Sequence, residues 1–295
     1  MTQKRVTPVL LWDGTHHVLS RDFNRHQRTG NLLEFAKRLK VWDVDEIVIL
    51  NISSYRNSHP FRNNISDLTN LCKLVREVSE NCFAPLIVGG GIRDIREIHS
   101  IFQSGADRVL LNSSTHRNIE IVSNAAKVFG SQAIIAGIDV KLEGHEHVVY
   151  SEGRTVPESC PPLEWARTLQ EAGAGEILLQ SIDRDGTTFG YDLPIIKAMR
   201  NVIDIPLMAL GGAGTHDDFR LAIEAGADAA AAANLFTFSE LSYPKVKDAI
   251  TSKVDTRSSN FFDFQAVKRK AEKELSSASK ESALWNMLDE TGLMG

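Results

Sequence analysis

Two glycine-rich turns carry the strongest chemical signal in this 295-residue sequence. Gly89-Gly90-Gly91 follows the apolar run Pro85-Leu86-Ile87-Val88, and Gly211-Gly212 follows Pro206-Leu207-Met208-Ala209-Leu210. Glycines placed directly after a strand let backbone N–H groups approach an anion, and the helix that follows adds the positive end of its dipole. Asn112-Ser113 and Ala233-Asn234 end the next apolar runs. Gly90, Gly91 and Asn112 can therefore cup one phosphate, and Gly211, Gly212, Ala233 and Asn234 another. A ligand with a phosphate at each end is implied. The alternative is that the glycines serve tight turns alone, and two matched copies weigh against it.

Positioning these turns requires a regular frame. Short apolar runs occur at Val6–Leu11, Glu46–Ile52, Ala84–Val88, Arg108–Leu111, Ala133–Ile138, Glu176–Leu179, Pro206–Leu210 and Ala227–Ala233, separated by longer amphipathic stretches. Eight buried strands alternating with helices predict parallel βα units, and eight units close into an α/β (βα)8 TIM barrel. An internal repeat agrees. Gly105-Ala106-Asp107 recurs as Gly226-Ala227-Asp228, at the spacing that separates the two glycine turns. The expected fold is a barrel of two half-barrel repeats over residues 1–250. Residues 251–295 are expected to form a C-terminal extension, a polar linker (Thr256–Asn260) and then a helix. The extension contains Phe261, Phe262, Phe264, Leu275, Leu284, Trp285, Met287 and Leu288, and Ala283, Leu284, Met287 and Leu288 recur at helical spacing, which predicts one apolar face. A solvated tail and a docking segment for another enzyme both remain open.

Composition narrows the class. The net charge of −5 and the pI near 6.0 give no basic stripe for nucleic acid. Cys72, Cys82 and Cys160 are too few and too scattered for a disulfide framework or a zinc site, so no metal or cofactor is expected. No signal-type segment opens the chain, and no apolar run approaches the roughly 20 residues of a membrane span. A reduced, soluble, cytoplasmic protein is expected.

Several motifs together resemble the cyclase subunit of imidazole glycerol phosphate synthase. They are Val88-Gly89-Gly90-Gly91-Ile92-Arg93, Ile138-Asp139-Val140-Lys141, Ala174-Gly175-Glu176-Ile177-Leu178-Leu179, Asp183-Arg184-Asp185-Gly186-Thr187 and Gly190-Tyr191-Asp192-Leu193. The resemblance implies a histidine-biosynthesis lyase. A glutaminase subunit would dock on the barrel bottom, ammonia would cross the barrel, and two aspartates at the top would act as general acid and base. It places Asp139 as one of these aspartates and adds Asp185 and Gly186 to the phosphate-binding set. It places Arg5, Glu46, Arg108 and Glu176 as an ammonia gate, with arginine where the family has lysine. Asp107 matches a residue facing the glutaminase.

The departures fall on the chemical face. Leu11 stands where the family has its first catalytic aspartate, and leucine cannot exchange a proton. Asp13 lies two residues on, in the family's Asp-Gly turn. Leu19 replaces a phosphate-pairing lysine, Asn51 replaces an aspartate, and Ser53 replaces threonine. These losses predict that the second anion site, around Gly211 and Gly212, is the better preserved. A branch of the family with leucine at the position of Leu11 resembles this chain more closely. It is associated with surface-polysaccharide sugar amidation, which implies an ATP-dependent amidotransferase as client. Two functions are therefore expected in competition: an ammonia-channelling subunit for sugar amidation, and a working cyclase of histidine biosynthesis. A scaffold barrel without transport is the third.

Overall fold

The computed structural model describes residues 3–21, 23, 25–53, 64–153, 155–238 and 242–251. The expected linker and helix of the C-terminal extension lie outside the described residues.

Twelve strands are seen among the described residues: β1 (Arg5–Trp12), β2 (His17–Arg21), β3 (Arg25–Gly30), β4 (Ile47–Asn51), β5 (Leu86–Gly89), β6 (Arg108–Leu111), β7 (Ile134–Glu143), β8 (Glu146–Ser151), β9 (Val156–Pro157), β10 (Glu176–Ser181), β11 (Leu207–Leu210) and β12 (Ala229–Ala232). Eight of them, β1, β4, β5, β6, β7, β10, β11 and β12, pair in parallel in that order. The ring closes where Arg5 of β1 pairs with Ala229 of β12. This is a (βα)8 barrel, and every apolar run singled out in the sequence contributes one of its strands.

Parallel strands need a crossover, and the sequence supplies amphipathic helices for it. In the helix Ile95–Gln103, Ile98 and Ile101 turn inward while the Asp94 side chain accepts from the N–H groups of Arg96 and Glu97. Such a cap contributes about 1 kcal/mol. The equivalent helix of the second half, His216–Glu224, starts with a Thr215–Asp218 capping box. Two apolar layers result. One lies between strands and helices and includes Ile47, Val88, Ile98, Ile134 and Phe219. The other fills the barrel and includes Val9, Val48, Ile87, Ile135, Leu178 and Met208. Each such buried side chain contributes roughly 1.5–3 kcal/mol.

The half-barrel repeat is visible in the hairpins. Strand β1 runs past the rim and folds back into β2, with Leu11 opposite Val18. Strand β7 does the same into β8, with Asp139 opposite Tyr150. The N-terminal face carries a second repeated device. Asp45, Asp107 and Asp228 each accept the first free N–H of a neighbouring strand, from Val6 (2.8 Å), Leu86 (2.7 Å) and Leu207 (3.0 Å). The Gly-Ala-Asp at 105–107 and its repeat at 226–228 thus tie strand starts together, and Asp45, in Asp43-Val44-Asp45, does the same for β1.

Candidate functional site

A cavity of about 310 Å³ opens at the C-terminal ends of the barrel strands. Barrel side chains point inward at alternate positions, and the last inward residue of each strand forms the cavity floor. On β1 that residue is Leu11, and on β7 it is Asp139. Leu11 pairs with Leu50 on β4, and Asp139 pairs with Gln180 on β10. All four line the cavity. Because each strand opens a half-barrel and feeds a hairpin, Leu11 and Asp139 occupy equivalent places. The floor therefore has one carboxyl where two-fold symmetry would permit two.

Asp139 is buried, and burial pushes its carboxyl up to about 7; the nearby charge of Asp185 pushes the same way, while a hydrogen bond from Asn112 opposes. Such a group exchanges protons near neutrality. Asp13 offers no substitute partner. Its Oδ1 accepts from Thr15 Oγ1 (2.8 Å), Thr15 N (3.0 Å) and His16 N (2.8 Å), and its Oδ2 from Arg28 Nε (2.9 Å). Although burial pushes upward, these donors hold Asp13 well below the ordinary carboxylate range.

The Asp139 environment makes a prediction with a definite sign. The folded-state value near 7 lies above the ordinary value of 3.8. The folded chain therefore keeps a proton that the unfolded chain has lost between about pH 4 and pH 7. The stability that this carboxyl contributes is fully present below pH 4 and lost as pH rises through 7. Asp139→Asn removes the ionisation, so it should stabilise the fold at pH 8 by up to about 4 kcal/mol and change it little at pH 4. Thermal melts at the two pH values check this, and an equal effect at both would refute it.

The two glycine turns differ in access. Gly90, Gly91, Asn112, Ser113, Ser114 and Arg117 all reach the cavity wall. Gly90 has φ +92°, and a Cβ there would lie 2.2 Å from the Asn51 carbonyl oxygen, so the turn requires glycine. Of the second set, only Asp185 and Ala233 reach the wall. Gly211 and Gly212 pack against Ser181 and Gly190. Asp185 accepts from Ser20 Oγ (2.7 Å) and Phe23 N (3.0 Å), and Asn234 Nδ2 donates to Ser20 O (2.9 Å). Leu19, within β2 and opposite Gln27 of β3, is buried. Ser114, Arg117 and Gln180 were not singled out from the sequence. The Asn112-Ser113-Ser114 run at a strand end was the signal for Ser114; nothing local marked the other two.

At the opposite end, Arg5, Glu46, Arg108 and Glu176 form one closed ring. Arg5 Nη1 donates to Glu46 Oε2 (2.8 Å) and Arg5 Nη2 to Glu176 Oε1 (2.5 Å). Arg108 lies 2.5 Å from Glu176 and 3.8 Å from Glu46. Thr7 Oγ1 donates to Glu46 Oε1 (2.7 Å), and Arg108 Nε to the Gln132 carbonyl (3.0 Å). Burial raises the Glu46 carboxyl. Burial lowers the Arg5 guanidinium, but Glu176 and Glu46 outweigh it and leave Arg5 above its ordinary value. Asp107 is exposed on the same face, with one carboxylate oxygen committed to Leu86 N.

These features define a (βα)8 barrel with a cavity and a buried carboxyl at its rim and a charged ring at its base. Residues 5–242 match the family described as Histidine biosynthesis protein, and the chain belongs to that family. It is 37% identical over 253 residues to Imidazole glycerol phosphate synthase subunit HisF of Thermococcus onnurineus, covering 86% of this chain and 97% of that one. It is 39% identical over 252 residues to the same subunit of Alkaliphilus metalliredigens, covering 85% and 96%. The Pyrobaculum aerophilum subunit is 37% identical over 245 residues, covering 82% and 93%. Among the described residues no helix is long and apolar enough to cross a membrane.

Proposed function

We propose that this barrel conducts ammonia within a glutamine amidotransferase assembly. A glutaminase docks at the N-terminal face. Ammonia enters at the ring of Arg5, Glu46, Arg108 and Glu176 and leaves at the rim. A separate ATP-dependent amidotransferase consumes it there, acting on a nucleotide sugar for surface polysaccharide of the lipopolysaccharide O-antigen type. The observation that carries this reading is Leu11 on the cavity floor, at the place equivalent to Asp139. A two-step acid–base reaction would lack one of its two groups here, while the barrel interior beneath the floor is lined by small and apolar side chains. Val9, Val48, Leu178, Ala229 and Ala231 make the barrel interior apolar. Neutral ammonia crosses such a lining far more easily than ammonium, whose charge would be desolvated.

A second reading is a functioning cyclase of histidine biosynthesis. The names of the relatives favour it, since each is an imidazole glycerol phosphate synthase subunit. It requires chemistry without a carboxyl at position 11.

Both readings need the glutaminase, and the N-terminal face offers it an anchor. Phe83, in the loop before β5, is 82% exposed, with Lys40 Nζ 4.7 Å from the ring centroid. Exposed aromatics at interface centres typically dominate binding. Phe83→Glu should weaken glutaminase binding about 30-fold or more while leaving the melting temperature nearly unchanged. Titration calorimetry with the purified glutaminase tests this. Wild-type chain that binds no glutaminase would remove the main support for ammonia conduction.

A further inference from the structure

We infer that Leu11 closes a collar of five leucines across the barrel, which holds back water and ammonium while neutral ammonia passes. Leu11 is then a selectivity residue and not only the absence of a carboxyl. The collar's purpose rests on the ammonia-conduction reading; its dryness does not.

The strands themselves build the collar. Side chains of a barrel strand alternate between the interior and the helix layer. On β1, Val9 and Leu11 face the interior, while Val6 and Leu10 join the layer under the helices. Leu50, Leu110, Leu178 and Leu210 reach the interior in the same way from β4, β6, β10 and β11. All five leucines also line the rim cavity. They are at once the floor of the cavity and the ceiling of the interior.

The other strands make room for them. A Cβ on Gly89 of β5 would lie 2.8 Å from the Leu110 Cβ, so Leu110 fills the space that Gly89 leaves. Strand β7 brings Gly137, and β12 brings Ala229 and Ala231. The polar Asp139 and Gln180 stand one inward step higher, over Gly137 and Leu178, on the cavity side. Between the leucines and the Thr7–Glu46 bond at the ring, Val9, Val48, Ile87 and Ile135 offer no hydrogen-bonding side-chain group.

A buried water needs about two to four polar partners, and an apolar constriction empties by dewetting. Ammonium would be stripped of its hydration there without compensation, whereas neutral ammonia gives up far less. A dry collar also separates ammonia in the barrel from the proton on Asp139, whose carboxyl burial pushes up to about 7. Leu11 lies beside Leu50 on one side and opposite Val18 on the other. A carboxylate among these side chains would draw cavity water into the collar.

Water-to-methyl NOEs in the full chain, with valine, leucine and isoleucine methyls labelled, read the dryness. The methyls of Val9, Val48 and Ile135 should show no cross-peak to bound water in the wild type. Leu11→Asp should give such cross-peaks, and so should Leu11→Thr, a milder change on a strand. Leu11→Met keeps an apolar side chain of similar volume and should give none. Selectivity is read in the assembly with the glutaminase and the amidotransferase, using glutamine labelled with heavy nitrogen in its amide and unlabelled ammonium in the medium. Leu11→Asp should raise the share of product nitrogen taken from the medium about tenfold, and Leu11→Met should leave it near the wild-type value. Water beside the wild-type methyls, a dry Leu11→Thr interior, or an unchanged isotope share in a wet Leu11→Asp barrel would each overturn the inference. A dry wild type whose product carries only medium nitrogen would instead end the conduction reading, and the selectivity claim with it.

Discussion

A strain whose only histidine-pathway cyclase is this chain should not grow without histidine. The cavity floor holds Asp139 on one side and Leu11 on the other. A positioned general acid or base typically contributes 10²–10⁴-fold, and leucine contributes none of it. Asp13, the nearest carboxylate in sequence, is saturated by four donors and held ionised. Leu11→Asp alone should not restore growth, because the resemblance also implies a lysine at position 19 and an aspartate at position 51, where this chain has leucine and asparagine. The decisive measurements are growth on histidine-free medium and the cyclase rate of the purified chain with its glutaminase. Robust growth would establish the cyclase reading, which the names of the relatives support, and would end the argument from Leu11.

The barrel was legible because its strands are buried on both faces. Runs such as Val9–Leu11 and Ile177–Leu179 are continuous apolar stretches that allow few other structures. Boundaries moved where an element continued beyond its apolar core. The run ending at Ile138 becomes a strand reaching Glu143, because β7 carries on into a hairpin above the rim. That hairpin and its counterpart, in which β1 folds back into β2 and on into β3, were not read from the sequence. Arg25-His26-Gln27-Arg28-Thr29-Gly30 shows no apolar alternation, since it packs over a rim and not into a core. The glycine turns were found by spacing, but spacing does not show what packs beside them. Ser20 and Phe23, remote in sequence, bond to Asp185, and the Ser20 carbonyl accepts from Asn234. Asp107 shows the same limit. A Gly-Ala-Asp ahead of a strand is legible as a repeat, but its bond to Leu86 N depends on the neighbouring strand.

Arg5→Met should be the most destabilising single change at the barrel base. Arg5 bridges two carboxylates whose side chains are 4% and 1% exposed, Glu46 and Glu176. Removing it leaves Arg108 as the remaining cation of the ring, and Arg108 reaches Glu176 at 2.5 Å but Glu46 only at 3.8 Å. Breaking a buried ion pair by deleting one partner typically costs about 3–5 kcal/mol, because the other charge stays desolvated. In a domain of this size that corresponds to a fall of roughly 6–20 °C in Tm. The pH dependence follows from Glu46, which burial already holds above its ordinary value while Arg5 pulls it down. Without Arg5 the carboxyl rises further, so the folded variant keeps a proton that the unfolded chain releases. Stability then falls as pH rises, and the deficit relative to wild type should be largest above neutrality and shrink toward pH 5. Arg5→Lys separates charge from geometry: a single ammonium cannot match the two-handed grip of a guanidinium, so its loss should be intermediate. A variant Arg5→Met with unchanged Tm at pH 8 would mean that the ring does not hold the barrel base together. Its charges would then have to be explained by traffic through the ring alone.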